Sequence, residues 1–207
     1  KYPGQTHGFT NFNAPKSHAE DIDNSWLGVV LNLVEQFEEI DTDTPGEGSK
    51  IETMENGSYK FYDSADAPFK NRDPRLWGTV IYPNATLKSS PVILQAGQLN
   101  KVDGKWQILT GELDSKDTQG NIITALNGPK ESNEQYINKT GFYIRKFIDE
   151  TPSAGTRGRG SEMWMPRFRM AEAYMIAAEA SFELSNGKAL NYINAVRNRA
   201  GVKPLKT

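Results

Sequence analysis

The stretch from Met163 to Pro204 constrains the chain more than any other, because it reads as two helices joined by a tight turn. Met170, Ala173, Tyr174, Ala177, Ala180 and Leu184 recur at spacings of three and four, which sets them on one helical face. Asn186-Gly187 interrupts the pattern, since glycine takes up the left-handed conformation that a helix end often needs. A second face follows at Ala189, Ile193, Val196 and Ala200, and Gly201 with Pro204 close it. Alanine at many facing positions lets two backbones approach closely. The pattern is close to one tetratricopeptide-type helical hairpin. A single hairpin cannot bury its outer face alone, so the sequence calls for neighbours that it does not itself supply.

Bulk properties narrow the function classes. The chain has 207 residues, enough for a sizeable core, and 24 Lys and Arg stand against 26 Asp and Glu. So balanced a charge gives no bulk attraction to nucleic acid or to an anionic membrane surface. Cysteine is absent, which excludes a disulfide framework, a thiolate zinc site and thiol catalysis. No apolar run approaches a membrane span and no signal peptide is visible. The chain starts at Lys1 and stops just after a helix, and is expected to be part of a longer mature protein. With 37% hydrophobic residues and one unpaired hairpin, it is expected to fold poorly in isolation.

Upstream, 1–23 is punctuated by Pro and Gly among Tyr2, Phe9 and Phe12. Asp23-Asn24-Ser25 supplies capping side chains for a helix over 26–39 with Leu27, Val30, Leu31, Val34 and Phe37 inward. A short extended segment is expected over 76–82, another over 92–95 and a strand over 141–149. The plainest β signal is Asp103-Gly104 between Asn100-Lys101-Val102 and Lys105-Trp106-Gln107, the two-residue loop favoured by a type I′ hairpin.

Few motifs carry chemistry. No G-x-S-x-G, H-E-x-x-H, G-x-G-x-x-G or phosphate-binding Gly-Lys loop occurs, so no catalytic residue is assigned. A carboxylate pair for glycoside hydrolysis has no particular candidate. Asp41 to Glu52 matches a calcium loop at positions one, three, six, nine and twelve, but Pro45 stands at position five and no helix pattern follows. A solvated acidic turn is the reading; no metal site or cofactor is assigned, and calcium is the minor alternative. His7 and His18 read as surface loop residues, and Arg157-Gly158-Arg159-Gly160 as a solvated loop rather than a phosphate contact. Aromatic rings are the better candidates, because a pyranose offers a face of C–H groups that a flat ring binds by dispersion. Trp26 at the expected helix start, Trp106 beside the hairpin tip and Tyr62 are taken as ligand-binding, whereas Trp77 and Trp164 are expected to be packed.

Arg167 to Ala180 (R-F-R-M-A-E-A-Y-M-I-A-A-E-A) with Ala189 to Val202 (A-L-N-Y-I-N-A-V-R-N-R-A-G-V) resembles the C-terminal signature of the SusD/RagB family. N-L-V-E-Q-F-E at Asn32 to Glu38, N-R-D-P-R-L at Asn71 to Leu76 and T-G-F-Y-I-R-K-F at Thr140 to Phe147 fall in that family's usual order, so the resemblance spans nearly the whole chain. It implies a mainly α, SusD-like fold with tetratricopeptide-type helical hairpins, long loops and a minor β-hairpin. Residues 1–207 would form a single domain, the C-terminal portion of a longer protein, with 162–204 as its terminal hairpin. It further implies a surface-exposed outer-membrane lipoprotein that captures glycans, or peptides in some branches, without catalysis. Such a protein delivers them to a SusC-like TonB-dependent transporter, and meets the membrane only through an N-terminal lipid anchor that this sequence does not contain. The matching motifs read as structural: Arg72, Asp73 and Arg75 would fix a turn, and Glu172, Glu179, Arg197 and Arg199 would tie the hairpin to its surroundings. A glycoside hydrolase on similar polymers and a helical-repeat scaffold for a protein partner are the alternative readings.

Overall fold

The structure is a computed structural model that describes residues 4–20, 24–131, 136–156 and 160–206. In chain order its elements are α1 (Phe9–Asn13), α2 (Leu31–Val34), β1 (Met54–Glu55), β2 (Ser58–Tyr59), α3 (Arg75–Thr79), β3 (Val80–Ile81), β4 (Thr86–Leu87) and β5 (Ser90–Pro91). The five-residue strands β6 (Gln98–Val102) and β7 (Lys105–Leu109) follow, then β8 (Ser115–Lys116), β9 (Ile122–Thr124), β10 (Tyr143–Ile144), α4 (Met170–Glu183) and α5 (Ala189–Ala200). The strands pair as antiparallel two-stranded sheets. Helix makes up 24% and strand 17% of the described residues, so the expected mainly α fold is corrected to a mixed one. The cause is the number of tight turns. Asn56, Asn84, Lys88, Ser89, Asp103 and Asp114 all hold positive φ, which ends helices and reverses the chain into short hairpins. Among the described residues no helix is long and apolar enough to cross a membrane.

The chain divides into two compact units. The first comprises Lys1–Leu31, Tyr62–Pro68 and Thr79–Trp164. Its core gathers Ile81, Ala85, Leu87, Val92, Leu94, Tyr143 and Ile148, with Phe9 and Tyr82 packed against it. Burying each large apolar side chain contributes about 1.5–3 kcal/mol. Strand β10 pairs with β3 through Tyr143–Ile81 and Ile144–Val80, so two segments far apart in sequence meet at the core. The Tyr143 hydroxyl donates to the Asn127 carbonyl at 3.3 Å, and burial pushes its pKa up to about 12. At the tip of β6–β7, Asp103 and Gly104 both hold positive φ (50° and 78°), the type I′ turn expected from the sequence.

The second unit comprises Asn32–Phe61, Phe69–Gly78 and Met165–Thr207. Helices α4 and α5 pack as the expected hairpin, with the Tyr174 and Tyr192 rings 6.2 Å apart and Gly201 in the left-handed cap (φ 82°). The expected openness of its outer face holds. Met175, Ile176, Ala178, Phe182, Leu190 and Ile193 line an apolar groove of about 810 Å³, and Phe182 is 74% exposed. Buried charge organises the rest of this unit. Arg72 donates to the carbonyls of Phe37 (3.0 Å), Ser49 (2.6 Å) and Lys50 (3.4 Å). Asp73 receives the Arg75 guanidinium and caps the Arg75 N–H at 2.9 Å. Arg197 reaches the Glu38 carboxylate at 2.7 Å and the Lys203 carbonyl at 2.8 Å. These are the charge-assisted bonds the motifs implied, whereas Glu172 and Glu179 lie exposed along the groove.

Several expected elements change. The helix over 26–39 contracts to α2, and 26–30 is extended. The backbone N–H groups of Trp26 and Val29 are taken by the carbonyls of Phe12 (3.0 Å) and Phe142 (3.2 Å), so tertiary pairing displaces the helical ladder. Only Val34 of its expected inward face is buried, while Leu27, Val30 and Leu31 are exposed. The segment over 76–82 is half helix, because Asp73 caps α3 ahead of the short β3. The strand over 141–149 shrinks to β10, and 92–95 forms no strand. His7 is not a free surface residue. Its Nε2 meets the Met163 carbonyl at 2.8 Å, and its backbone pairs with Ser161 in both directions at 2.9 Å. Tyr2, Asp23 and the Arg157–Arg159 stretch lie outside the described residues.

Candidate functional site

The aromatic candidates sit on three different elements of the first unit. Trp26 belongs to the extended segment, and its backbone bond to Phe12 brings the two side chains together with ring centroids 4.6 Å apart and a 34° tilt. Trp26 is nevertheless 58% exposed. Phe12 thus backs one face of the indole and leaves accessible surface that a C–H-rich ligand face can cover. Phe12 stands fourteen positions away on the short helix α1, and no period in the sequence could have paired the two.

Trp106 lies on β7 directly across from Lys101, whose Nζ sits 5.7 Å from the indole centroid. The cation occupies one side of this ring and contributes about 0.5–1 kcal/mol at such an exposed site. At 37% exposure Trp106 is the more covered of the two tryptophans. Tyr62, 39% exposed, follows the small β1–β2 hairpin and opens a loop of the first unit. Trp77 and Trp164, expected to be packed, are 54% and 61% exposed, which reverses that expectation. An indole in an apolar run, or before a helix, resembles a core residue in sequence; only the fold reveals how much of it stays exposed.

Each unit also carries electrostatically fixed turns, Asp117 in the first and the 41–52 loop in the second. Asp117 accepts bonds from Asn121 (N and Nδ2, both 2.9 Å), Gln119 N (2.9 Å) and Gln98 Nε2 (3.2 Å). These donors, Asn121 foremost, hold its carboxyl at about 2. Around the partial calcium-loop match, Gly46 N donates to Glu38 at 2.6 Å, and Lys203 Nζ donates to the Asp41 and Thr42 carbonyls at 2.9 Å. Among the described residues no group of three or more His, Asp and Glu side chains is arranged to hold a metal ion.

A hairpin-rich unit bearing exposed aromatic rings, together with a unit built on a tetratricopeptide-type helical hairpin, defines a mixed α and β class. The chain belongs to the SusD family, whose model matches residues 4–207. Two solved structures share the fold. One is a SusD-like carbohydrate-binding protein from Bacteroides fragilis, with a TM-score of 0.61 at 20% identity over 98% of this chain and 33% of that one. The other is a SusD-like protein from the same organism, with a TM-score of 0.57 at 17% identity over 95% of this chain and 33% of that one. The chain thus spans about a third of the length of both. No curated protein matches it in sequence.

Proposed function

We propose that this chain is part of a non-catalytic surface protein that captures glycans at the outer membrane and delivers them to a SusC-like TonB-dependent transporter, anchored by a lipid outside this sequence. The observation that carries the reading is membership of the SusD family along 4–207, with a solved relative of the same fold named as carbohydrate-binding. The Phe12-backed Trp26 ring supplies a stacking surface of the kind a sugar face requires.

The test is electrophoresis of the intact protein through gels containing neutral polysaccharides, with a reducing-end assay on the same mixtures. Retardation without new reducing ends is the expected result. Release of reducing ends would replace the reading with a hydrolase, and neither retardation nor release would leave the helical-repeat scaffold.

A further inference from the structure

The first unit contains a second polar feature, remote in sequence from the tryptophan candidates. Asp149, Thr151, Ser153, Ala154, Gly160, Glu162 and Met163 line a cleft of about 450 Å³. That volume falls within the roughly 300–1,000 Å³ of small-molecule sites. Its walls are held from several directions. The Asp149 N–H donates to Thr10 Oγ1 at 2.8 Å, and the buried Ser161 hydroxyl donates to Asp149 Oδ2 at 2.6 Å. Ser161 Oγ in turn accepts the Met163 N–H at 2.9 Å, and the His7–Ser161 backbone pair holds the same stretch. Lys88 donates to the Ala154 carbonyl from the β4–β5 turn, and Arg145 pairs with Glu150 at 2.6 Å. These bonds hold Asp149, Ala154 and the 161–163 stretch in place.

Its lining mixes acceptors and hydroxyls with apolar surface. Burial pushes Asp149 up, but bonds from Ser161 and Thr151 and the charge of Lys88 outweigh it, so the group stays ionised at neutral pH. An ionised carboxylate accepts hydroxyl donors and repels anions. Ser153 offers a hydroxyl, and Met163 an apolar wall of the sort a pyranose C–H face meets. Glu162 places a second carboxylate in the lining, which adds to the repulsion of an anionic ligand.

We infer that this cleft is a subsite for an uncharged sugar unit, separate from Trp26, which selects neutral glycans over uronic-acid or sialylated ones. It rests on the glycan-binding reading above. The experiment is calorimetric titration of the intact protein with maltoheptaose, cellohexaose, xylohexaose and mannohexaose, and with an oligogalacturonate as the acidic probe. The proteins compared are wild type, Ser153→Trp, which fills the cleft, and Ser153→Ala, which removes one hydroxyl. Circular dichroism checks that each variant is folded. The expected result is binding of at least one neutral probe, weakened tenfold or more by Ser153→Trp and about threefold by Ser153→Ala, with no tighter binding of the oligogalacturonate. Should Ser153→Trp misfold, the Ser153→Ala arm decides. Neutral-probe binding unchanged in the folded variants would overturn the cleft and leave the glycan-binding reading intact. Preference for the oligogalacturonate would overturn the selectivity. No binding of any probe by wild type would sink both.

Discussion

Replacing Arg197 with Met tests whether buried charge, rather than apolar packing, organises the second unit. Arg197 is 7% exposed and Glu38 4%. The guanidinium contacts both Glu38 oxygens (2.7 and 2.9 Å) and donates twice to the Lys203 carbonyl (2.8 and 2.5 Å). Without it, Glu38 keeps the Gly46 N–H, but its buried carboxylate loses the guanidinium paired with it, a loss that costs about 3–5 kcal/mol. Glu38→Gln leaves the Arg197 guanidinium without its anion but still bonded to the Lys203 carbonyl, and the amide oxygen can still accept, so this variant should cost less. Once Glu38 is neutral, losing Arg197 no longer strands a charge, so the double variant should fall short of the sum of the singles by about 1–3 kcal/mol. Equilibrium urea unfolding of the intact protein, followed by far-ultraviolet circular dichroism, supplies all four corners of the cycle. A cost for Arg197→Met under about 1 kcal/mol, or strict additivity, would refute the reasoning.

Two further outcomes follow from the geometry. A Cβ built on Gly48 would lie 2.2 Å from the Glu35 carbonyl oxygen and 3.1 Å from the Gln36 Cα, both backbone atoms that cannot swing aside. Gly48→Ala should therefore destabilise by about 1–3 kcal/mol, read as a lowered urea midpoint, and an unchanged midpoint would contradict the close approach. Asp117, held at about 2 against the ordinary 3.8, has a depressed folded-state pKa, so its stabilising contribution is present above pH 4 or so and is lost as pH falls towards about 2. The stability gap between wild type and Asp117→Asn should shrink across that window in acid titrations monitored by circular dichroism; a gap independent of pH would remove the carboxylate from the account.

What the sequence disclosed and what it hid divide along a physical line. The α4–α5 hairpin, its Gly201 cap and the Asp103-Gly104 turn rest on local preferences written in a few adjacent residues, and all three stand in the structure. The Arg72-Asp73-Arg75 turn was legible for the same reason: a proline flanked by opposite charges closes on itself. The segment over 26–30 failed because its amides bond to Phe12 and Phe142, partners that no local pattern encodes. The mainly α expectation failed with it, since most of the remaining chain turns back within a few residues instead of continuing as helix. Of the candidate site, Trp26 and Trp106 were legible as exposed rings. The Phe12 backing and the Ser153 cleft were not, because the first depends on the backbone bond between α1 and Trp26 and the second on the irregular course of 149–163, and neither leaves a period in the sequence. The exposure of Trp77 and Trp164 was hidden too, because an indole's hydrophobicity is silent on which neighbours reach it.

The most direct measurement is the affinity of the intact protein and its Trp26→Ala variant for the neutral oligosaccharide that binds wild type best. Loss of a stacked ring of this kind is worth about 1–2 kcal/mol, or roughly 5- to 30-fold in affinity. A loss in that range, with no reducing ends released by either protein, is the result predicted here. Equal affinity of the two proteins would remove Trp26 as the glycan platform, and release of reducing ends would contradict the non-catalytic reading itself.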